Sequence, residues 1–191
     1  MRTRFLVPVS VAIVLLAAAC DGSSKPSSSG TTASSGPTTT VHVAHPVSAN
    51  PSVSAKMICE TEAINDIYQS ATGVKTIAPM KPTWIDHVYS CDYVYPGGAK
   101  MTLSVKEVAD SDQTTAYFDM LATKLHKVQD LQGLGQGAFT VKDGSVVVRK
   151  DFKILLIDVT KLPAQFGVPA DTRAHVAINV AETIMGCWTG A

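Results

Sequence analysis

The stretch "HVYSCDYVYPGGAKMTLSVKEV", residues 87–108, decides the fold of this chain. Apolar and polar side chains alternate on both sides of Pro96-Gly97-Gly98, as they do in half-buried strands. Two such strands joined by a short proline- and glycine-containing turn predict an antiparallel hairpin. One face of the hairpin carries Tyr89, Cys91, Tyr93, Tyr95, Met101, Leu103 and Val105.

This tyrosine-rich face has two interpretations. If it packs against helices it is core, and its hydroxyl groups reach polar partners. If it faces solvent it is an exposed apolar patch and a candidate binding surface. The apolar face of residues 100–108 must pair with one face of residues 87–95, and the tyrosine face is the natural match. The pattern therefore favours core.

The spacing of apolar residues predicts three helices around this hairpin. The first covers residues 60–71 and ends at Gly73. The second begins at Asp110, which makes a capping box with Gln113. Its core stripe is expected to consist of Phe118, Leu121, Leu125 and Val128. The last helix begins near Asp171 or Thr172 and places Ala177, Val180, Ala181, Ile184 and Trp188 on one face.

Three further strands are predicted over residues 137–142, 145–150 and 152–159. Asp143-Gly144 joins the first two and is a strong hairpin signal. The resulting order is α-β-β-α-β-β-β-α. Hairpin connections then imply a mostly antiparallel five-stranded sheet with the helices packed on one face, which is an α+β fold. Residues 56–191 are expected to form this single domain.

The N-terminus predicts export and lipidation. Arg2 and Arg4 precede the apolar run "VAIVLLAAA", residues 11–19, which is too short for a membrane span and typical of a signal peptide. The run ends at Cys20 after three alanines, which resembles the bacterial lipobox, although Ala17 stands where leucine is favoured. The resemblance implies that residues 1–19 are removed and that Cys20 carries acyl chains such as palmitate. The alternative is a plain secreted protein.

Residues 20–55 are expected to form a disordered tether behind the lipidated cysteine. Seventeen of the nineteen residues from 22 to 40 are Ser, Thr, Gly or Pro, a composition that cannot bury enough apolar area to fold. A flexible coil of this length would hold the domain on the order of 30 Å from the bilayer. His42 and His45 lie in this segment and make a poor metal site on flexible chain. The predicted location is the extracytoplasmic face of the cell membrane.

Three cysteines remain once Cys20 is acylated, and an oxidising compartment makes them disulfide candidates. Pairing Cys59 with Cys91 would link the first helix to the first strand, and it is the favoured choice. Pairing Cys59 with Cys187, which would tie the first helix to the last, is the alternative. Either choice leaves one thiol, for which a buried or inert role is favoured over a nucleophile.

No motif in the sequence predicts catalysis, a cofactor or a metal site. "GLGQGAF", residues 133–139, has the wrong spacing for a dinucleotide fingerprint and precedes a strand, so a glycine-rich turn is expected. His87 and Cys91 lie too far apart along a strand to hydrogen-bond directly. Two weaker candidates are left open: convergence of the carboxylates of Asp92, Glu107 and Asp158, and an anion-binding edge at Arg149, Lys150 and Lys153.

Several segments together resemble small lipoproteins of actinobacteria, of the mycobacterial type. They are the lipobox at Cys20, the Ser/Thr-rich tether, "YSCDYVY" (89–95), "LQGLGQGAF" (131–139), "DGSVVVRKD" (143–151) and "MGCWTG" (185–190). The resemblance is to a group without an established activity, so it implies no site residues. More loosely, the α+β plan is similar to extracytoplasmic sensor modules of mycobacterial receptor kinases.

Two functions are therefore expected as alternatives. The first is a tethered binding or interaction module whose partner is an envelope protein, lipid or glycan. The second is an envelope hydrolase, and a purely structural accessory role is also open. Residues 56–191 contain 13 basic and 15 acidic residues and show no basic stripe, so nucleic acid is not an expected partner.

Overall fold

A computed structural model gives the fold of the chain and describes residues 47–188. The predicted signal peptide, Cys20, His42 and His45 lie outside the described residues. Within the described range, no helix is both long and apolar enough to span a membrane.

The main element is a seven-stranded antiparallel sheet with the order β1-β2-β3-β7-β6-β5-β4. The expectation of five strands was wrong, because a short strand at each edge of the sheet was missed. The strands are β1 (Thr83–Ile85), β2 (Val88–Val94), β3 (Lys100–Glu107), β4 (Lys127–Leu131), β5 (Gly137–Val141), β6 (Val146–Lys150) and β7 (Lys153–Asp158).

Four α-helices accompany the sheet in the described residues. They are α1 (Val53–Lys56), α2 (Thr61–Ile67), α3 (Ser111–Lys124) and α4 (Arg173–Cys187). A 3₁₀ turn, Met57–Cys59, joins α1 to α2, and a π turn, Tyr68–Thr72, extends α2 to the left-handed Gly73. Two short strands before α4, β8 (Gln165–Phe166) and β9 (Asp171–Thr172), pair with each other. Helix α1 falls in the segment assigned to the tether, and its Ser54 and Ala55 are buried.

Helices cover both faces of the sheet, so the expectation of helices on one face was also wrong. The α1, α2 and α4 helices pack on the face that carries Cys91, Tyr93 and Leu103, and they form the larger core with it. Helix α3 packs on the opposite face over β5, β6 and β7 and forms a smaller core with them, which consists of Leu121, Phe139, Val141, Val147 and Ile154. Both faces of these central strands are therefore apolar, as the run Val146-Val147-Val148, buried throughout, shows.

The smaller core explains a second correction, in the stripe expected for α3. Leu121 packs against Phe139 and Ile154, and Phe118 and Leu125 join the same cluster as predicted. Val128 does not, because the helix ends at Lys124 and His126 takes a positive φ that reverses the chain. Val128 then lies in β4 and is 66% exposed.

The central hairpin forms as its sequence predicts. Tyr93 faces Met101 and Cys91 faces Leu103 across β2 and β3, and all four are buried in the larger core. The Tyr93 hydroxyl donates a hydrogen bond to the carbonyl of Ile58. The tyrosine face is therefore core and not an exposed binding surface.

Cys59 and Cys91 form a disulfide, the first of the two pairings expected. It joins the 3₁₀ turn before α2 to the middle of β2, with 6.0 Å between the two Cα atoms. The alternative pairing with Cys187 is not formed. Cys187 lies half-buried at the end of α4.

Candidate functional site

The face of the sheet that carries α3 contains a cleft of about 280 Å³. This cleft, called the α3 cleft below, lies at the end of the sheet where α3 begins and where the β6–β7 hairpin turns. Its walls come from three separate parts of the chain. The lining residues are Ser111, Thr114, Thr115, Gln136, Arg149 and Phe152.

The first wall is the first turn of α3. Asp110 caps this helix, since its carboxylate accepts hydrogen bonds from the main-chain N–H of Gln113 at 2.7 Å and from its side-chain amide at 3.1 Å. The Thr114 hydroxyl donates to the Asp110 carbonyl at 2.6 Å, and the Thr115 hydroxyl donates to the Ser111 carbonyl at 2.9 Å. The cap predicted from the sequence thus fixes the helical wall of the cleft.

The second wall is Gln136, placed by the glycine-rich segment between β4 and β5. A β-carbon on Gly135 would lie 2.6 Å from the carbonyl oxygen of Arg149, and the φ of Gly135 is +56°, so only glycine fits there without strain. This close approach lets the Gln136 N–H donate to the Arg149 carbonyl at 2.7 Å. The Gln136 side-chain oxygen accepts from the Asp151 N–H at 3.1 Å. The glycines therefore serve a turn that packs Gln136 against the β6–β7 hairpin.

The third wall is the guanidinium of Arg149 on β6. Its Nη1 donates to the Thr115 hydroxyl at 2.9 Å, and its Nη2 donates to the Gln136 carbonyl at 3.2 Å. Its Cζ lies 5.3 Å from the centre of the Phe118 ring, within range of a cation–π contact. Three neighbours thus hold one positive charge in a fixed position at the cleft wall.

Phe152 completes the cleft from the turn between β6 and β7. Asp151 and Phe152 both have positive φ values, +49° and +56°, which is unusual for a bulky aromatic residue. The Phe152 carbonyl accepts a hydrogen bond from the Val108 N–H at 3.0 Å, which ties the turn to the chain leading into α3. Its ring is 39% exposed and adds an apolar side to a polar cleft.

The anion-binding edge left open as a weaker candidate at Arg149, Lys150 and Lys153 does not form. Alternation along β6 puts Arg149 on the α3 face and Lys150 on the opposite face. Lys150 donates to the Trp188 carbonyl at 3.3 Å, and the buried Lys153 donates to the Asp151 carbonyl at 3.4 Å. Only Arg149 of the three lines the cleft.

The carboxylates of Asp92, Asp158 and Glu107 do not converge either. Asp92 and Asp158 lie on the same face but on strands β2 and β7, with Thr102 of β3 between them. That arrangement separates them by two strand spacings, roughly 10 Å. A hydrogen bond from Lys100 holds the pKa of Asp92 below its usual value.

Glu107 contacts the N-cap of α1 and neither of the two aspartates. It is buried on the opposite face, where its carboxylate accepts hydrogen bonds from the N–H of Ser52 at 3.0 Å and from its hydroxyl at 2.6 Å. Ser52 is the N-cap of α1, so Glu107 holds the start of α1 against the end of β3. These contacts assign Glu107 a stabilising role.

The histidines of the described residues lie away from the cleft. His87 occupies the turn between β1 and β2, packed edge-on against Trp84, and the Cys91 that follows it on the strand is bonded to Cys59. His175 pairs with Asp171 at the exposed start of α4, and this hydrogen bond lowers the pKa of the Asp171 carboxyl. The His175–Asp171 pair is a helix-end contact on the surface, distant in sequence from every cleft residue.

Sequence reasoning found one of the six cleft residues as a candidate, Arg149, and it grouped Arg149 with the wrong neighbours. The sequence held only indirect signals for this site: a glycine-rich turn, a helix cap, and the alternation that places Arg149 on the α3 face of β6. Only the pairing of β5, β6 and β7 brings these three features together. Thr115 and Gln136 carry no motif of their own.

Comparisons with known proteins identify no relative of this chain: no family model matches it, and neither does any curated protein or solved structure.

Proposed function

We propose that the chain is a lipid-anchored protein of the extracytoplasmic face of the cell membrane, whose folded domain binds a ligand of the cell envelope in the α3 cleft. Support for the anchoring comes from the sequence: the signal peptide ends at Cys20, and a polar tether follows it. Two acyl chains on one cysteine attach a protein stably to a membrane, whereas a single chain gives only marginal membrane binding.

The cleft is the observation that carries the binding role. Its polar groups are held in place by the fold before any ligand arrives, because Arg149 is fixed by Thr115, Gln136 and Phe118. Preorganised hydrogen-bonding groups beside an apolar ring are typical of a recognition site. The lining residues include no cysteine, histidine or carboxylate to serve as nucleophile or base, which favours binding over the alternative of hydrolysis.

Anchoring is tested by expressing the full chain and a Cys20→Ser variant in an actinobacterial host supplied with an alkyne-tagged fatty acid. We expect the parent chain to take up the tag and to sediment with membranes, and the variant to lose both properties. A parent chain that stays untagged and soluble would reject the anchored location.

Binding in the cleft is tested with a photoreactive phenylalanine analogue at Phe152, and with a control at Ile77, which is 63% exposed and does not line the cleft. After irradiation of whole cells, we expect a defined mass adduct on the chain labelled at Phe152 and none on the control. Equal labelling at the two positions, or none at Phe152, would contradict the binding role of this cleft.

A further inference from the structure

The α3 cleft offers more hydrogen-bond donors than acceptors. Arg149 has five N–H groups, and the structure gives two hydrogen bonds from them, to Thr115 and to Gln136. Its Nε atom is buried and has no hydrogen-bond partner. Leaving a buried donor of a charged group without an acceptor is energetically costly. Since the two hydrogen bonds use one N–H of each Nη group, the guanidinium keeps further N–H groups for an acceptor beside the cleft.

Gln136 adds donors on the adjacent wall. Its side-chain oxygen is already occupied by the Asp151 N–H at 3.1 Å, which assigns the orientation of the amide. The Nε2 group of Gln136 then faces away from that hydrogen bond with two N–H donors, and no acceptor among the described residues bonds to it. The main-chain carbonyl of Gln136 is taken by Arg149.

The hydroxyl groups of Thr114 and Thr115 in the helical wall are already used in hydrogen bonds within the protein. Thr114 and Thr115 each give their single hydrogen to a carbonyl of the preceding turn. The Thr115 oxygen is also used by Arg149 Nη1. What remains at the cleft is a fixed cation with neutral amide donors beside it.

The charge of Arg149 is not balanced by an ion pair within the part of the chain that the structure describes, where the ion pairs are Lys100–Asp92, Lys127–Asp130 and His175–Asp171. Asp110, at the start of the helical wall, uses both carboxylate oxygens to accept hydrogen bonds from Gln113. An oxyanion in the cleft would thus meet an unopposed guanidinium.

We infer that the α3 cleft binds a phosphate group, carried by a soluble molecule or by a lipid headgroup, with Arg149 and Gln136 as its donors. A guanidinium is suited to bind phosphate through paired N–H groups. A tetrahedral phosphate also has oxygens that can accept from donors on two walls at once. The volume of about 280 Å³ fits a compact group. The inference rests on the proposed binding role of this cleft.

The test uses the purified, ¹⁵N-labelled full chain and two probes. One arm titrates inorganic phosphate at constant ionic strength. The other adds phosphatidylcholine nanodiscs with or without phosphatidic acid. The signals followed are the Arg149 Nε–H and the Gln136 side-chain amide. We expect saturable shifts of both signals in at least one arm, and the arm that responds identifies a soluble or a lipid source.

Three variants make the test specific. Gln136→Glu keeps the acceptor for Asp151 but replaces the donors with a negative charge, and we expect it to weaken binding roughly tenfold or more. Arg149→Lys keeps the charge without the guanidinium geometry and should also weaken binding. Arg173→Gln is the control for net charge, because it makes the net charge more negative by one, as Gln136→Glu does, at a residue outside the cleft, and it should change the affinity less than about twofold.

Folding of each variant is checked by its thermal unfolding midpoint, so that a lost signal is not mistaken for lost binding. Absence of saturable shifts in both arms for the parent chain would overturn the inference, as would equal affinity in folded Gln136→Glu. If phosphate fails in both arms while the cross-link at Phe152 persists, the phosphate assignment fails and the binding role stands.

Discussion

Loss of the Cys59–Cys91 disulfide is expected to lower the stability of the domain substantially. The bond links two residues 32 positions apart, and it joins the turn before α2 to the centre of β2. The perturbation is the double substitution Cys59→Ala and Cys91→Ala in the full chain, compared with the parent chain in oxidised and reduced forms.

The magnitude follows from the loop that the bond closes. In the chain-entropy model, a cross-link over about 32 residues removes roughly 12 cal/mol/K of unfolded-state entropy, which is about 3.7 kcal/mol at 25 °C. With an unfolding entropy near 2.1 cal/mol/K per residue, a folded region of residues 47–188 would lose about 12 °C in its thermal midpoint. Cys91 is 3% exposed, so truncating it adds a small packing loss to the double variant.

The assay is urea-induced unfolding followed by far-ultraviolet circular dichroism, with and without reducing agent. Reduction should lower the free energy of unfolding of the parent chain by about 3–4 kcal/mol and leave the double variant unchanged. A difference between oxidised and reduced parent chain of less than about 1 kcal/mol would refute the reasoning, because it would show that the cross-link does not constrain the unfolded chain.

Three further predictions concern the core and the start of the folded region. Tyr93→Phe removes a buried hydrogen bond to the Ile58 carbonyl and should cost about 1 kcal/mol in urea unfolding, whereas Tyr95→Phe should be nearly neutral, because the Tyr95 hydroxyl comes near Thr72 without forming a hydrogen bond. Burial raises the pKa of both tyrosines, so the folded chain keeps their protons at pH values where the unfolded chain loses them. Their contribution to the free energy of unfolding is complete below about pH 10 and should fall as the pH rises further. The decline should be flatter in the double phenylalanine variant. Glu107→Ala removes the acceptor of two hydrogen bonds from the N-cap of α1 and should cost about 1–2 kcal/mol, measured by urea unfolding; a loss much smaller than this would show that the end of β3 does not hold the start of α1.

The parts of the fold that were predictable are those in which local pattern and tertiary environment agree. Alternation over residues 87–108 gave a hairpin whose Cys91 and Tyr93 are buried as expected. The capping box at Asp110 also formed, because a cap depends only on residues within one turn of the helix. Each of these features is specified by neighbours in sequence.

The edge strands were missed for a physical reason. Strand β1 has three residues and β4 is exposed along most of its length, so neither shows a buried alternating face. The turn before β2 uses Asp86 and His87 at positive φ, without the glycine that usually marks such a turn. Val128 was assigned to the α3 stripe because its spacing continues the helix, and the positive φ of His126 is not visible in that spacing.

Placement of helices on both faces was the harder question. The run Val146-Val147-Val148 is apolar at every position. Such a run is compatible with a strand that is covered on both faces and also with a strand that is covered on one face and exposes a valine on the other. The smaller core under α3 depends on contacts between Leu121 and residues of three different strands, at separations of up to about 33 residues. The cleft exists only because of that packing, so its residues could not be assembled from sequence.

The start of α1 and the cleft beside α3 lie at the same end of the sheet. Ser52, where the described chain enters α1, is bound by Glu107 at the end of β3. Glu107 pairs with Lys153, next to the turn that carries Phe152, so the entry point and the cleft lie at the same end of the sheet on opposite faces. The location of the cleft is compatible with a phosphate on a lipid as well as one in solution, and the two arms of the binding experiment distinguish these sources.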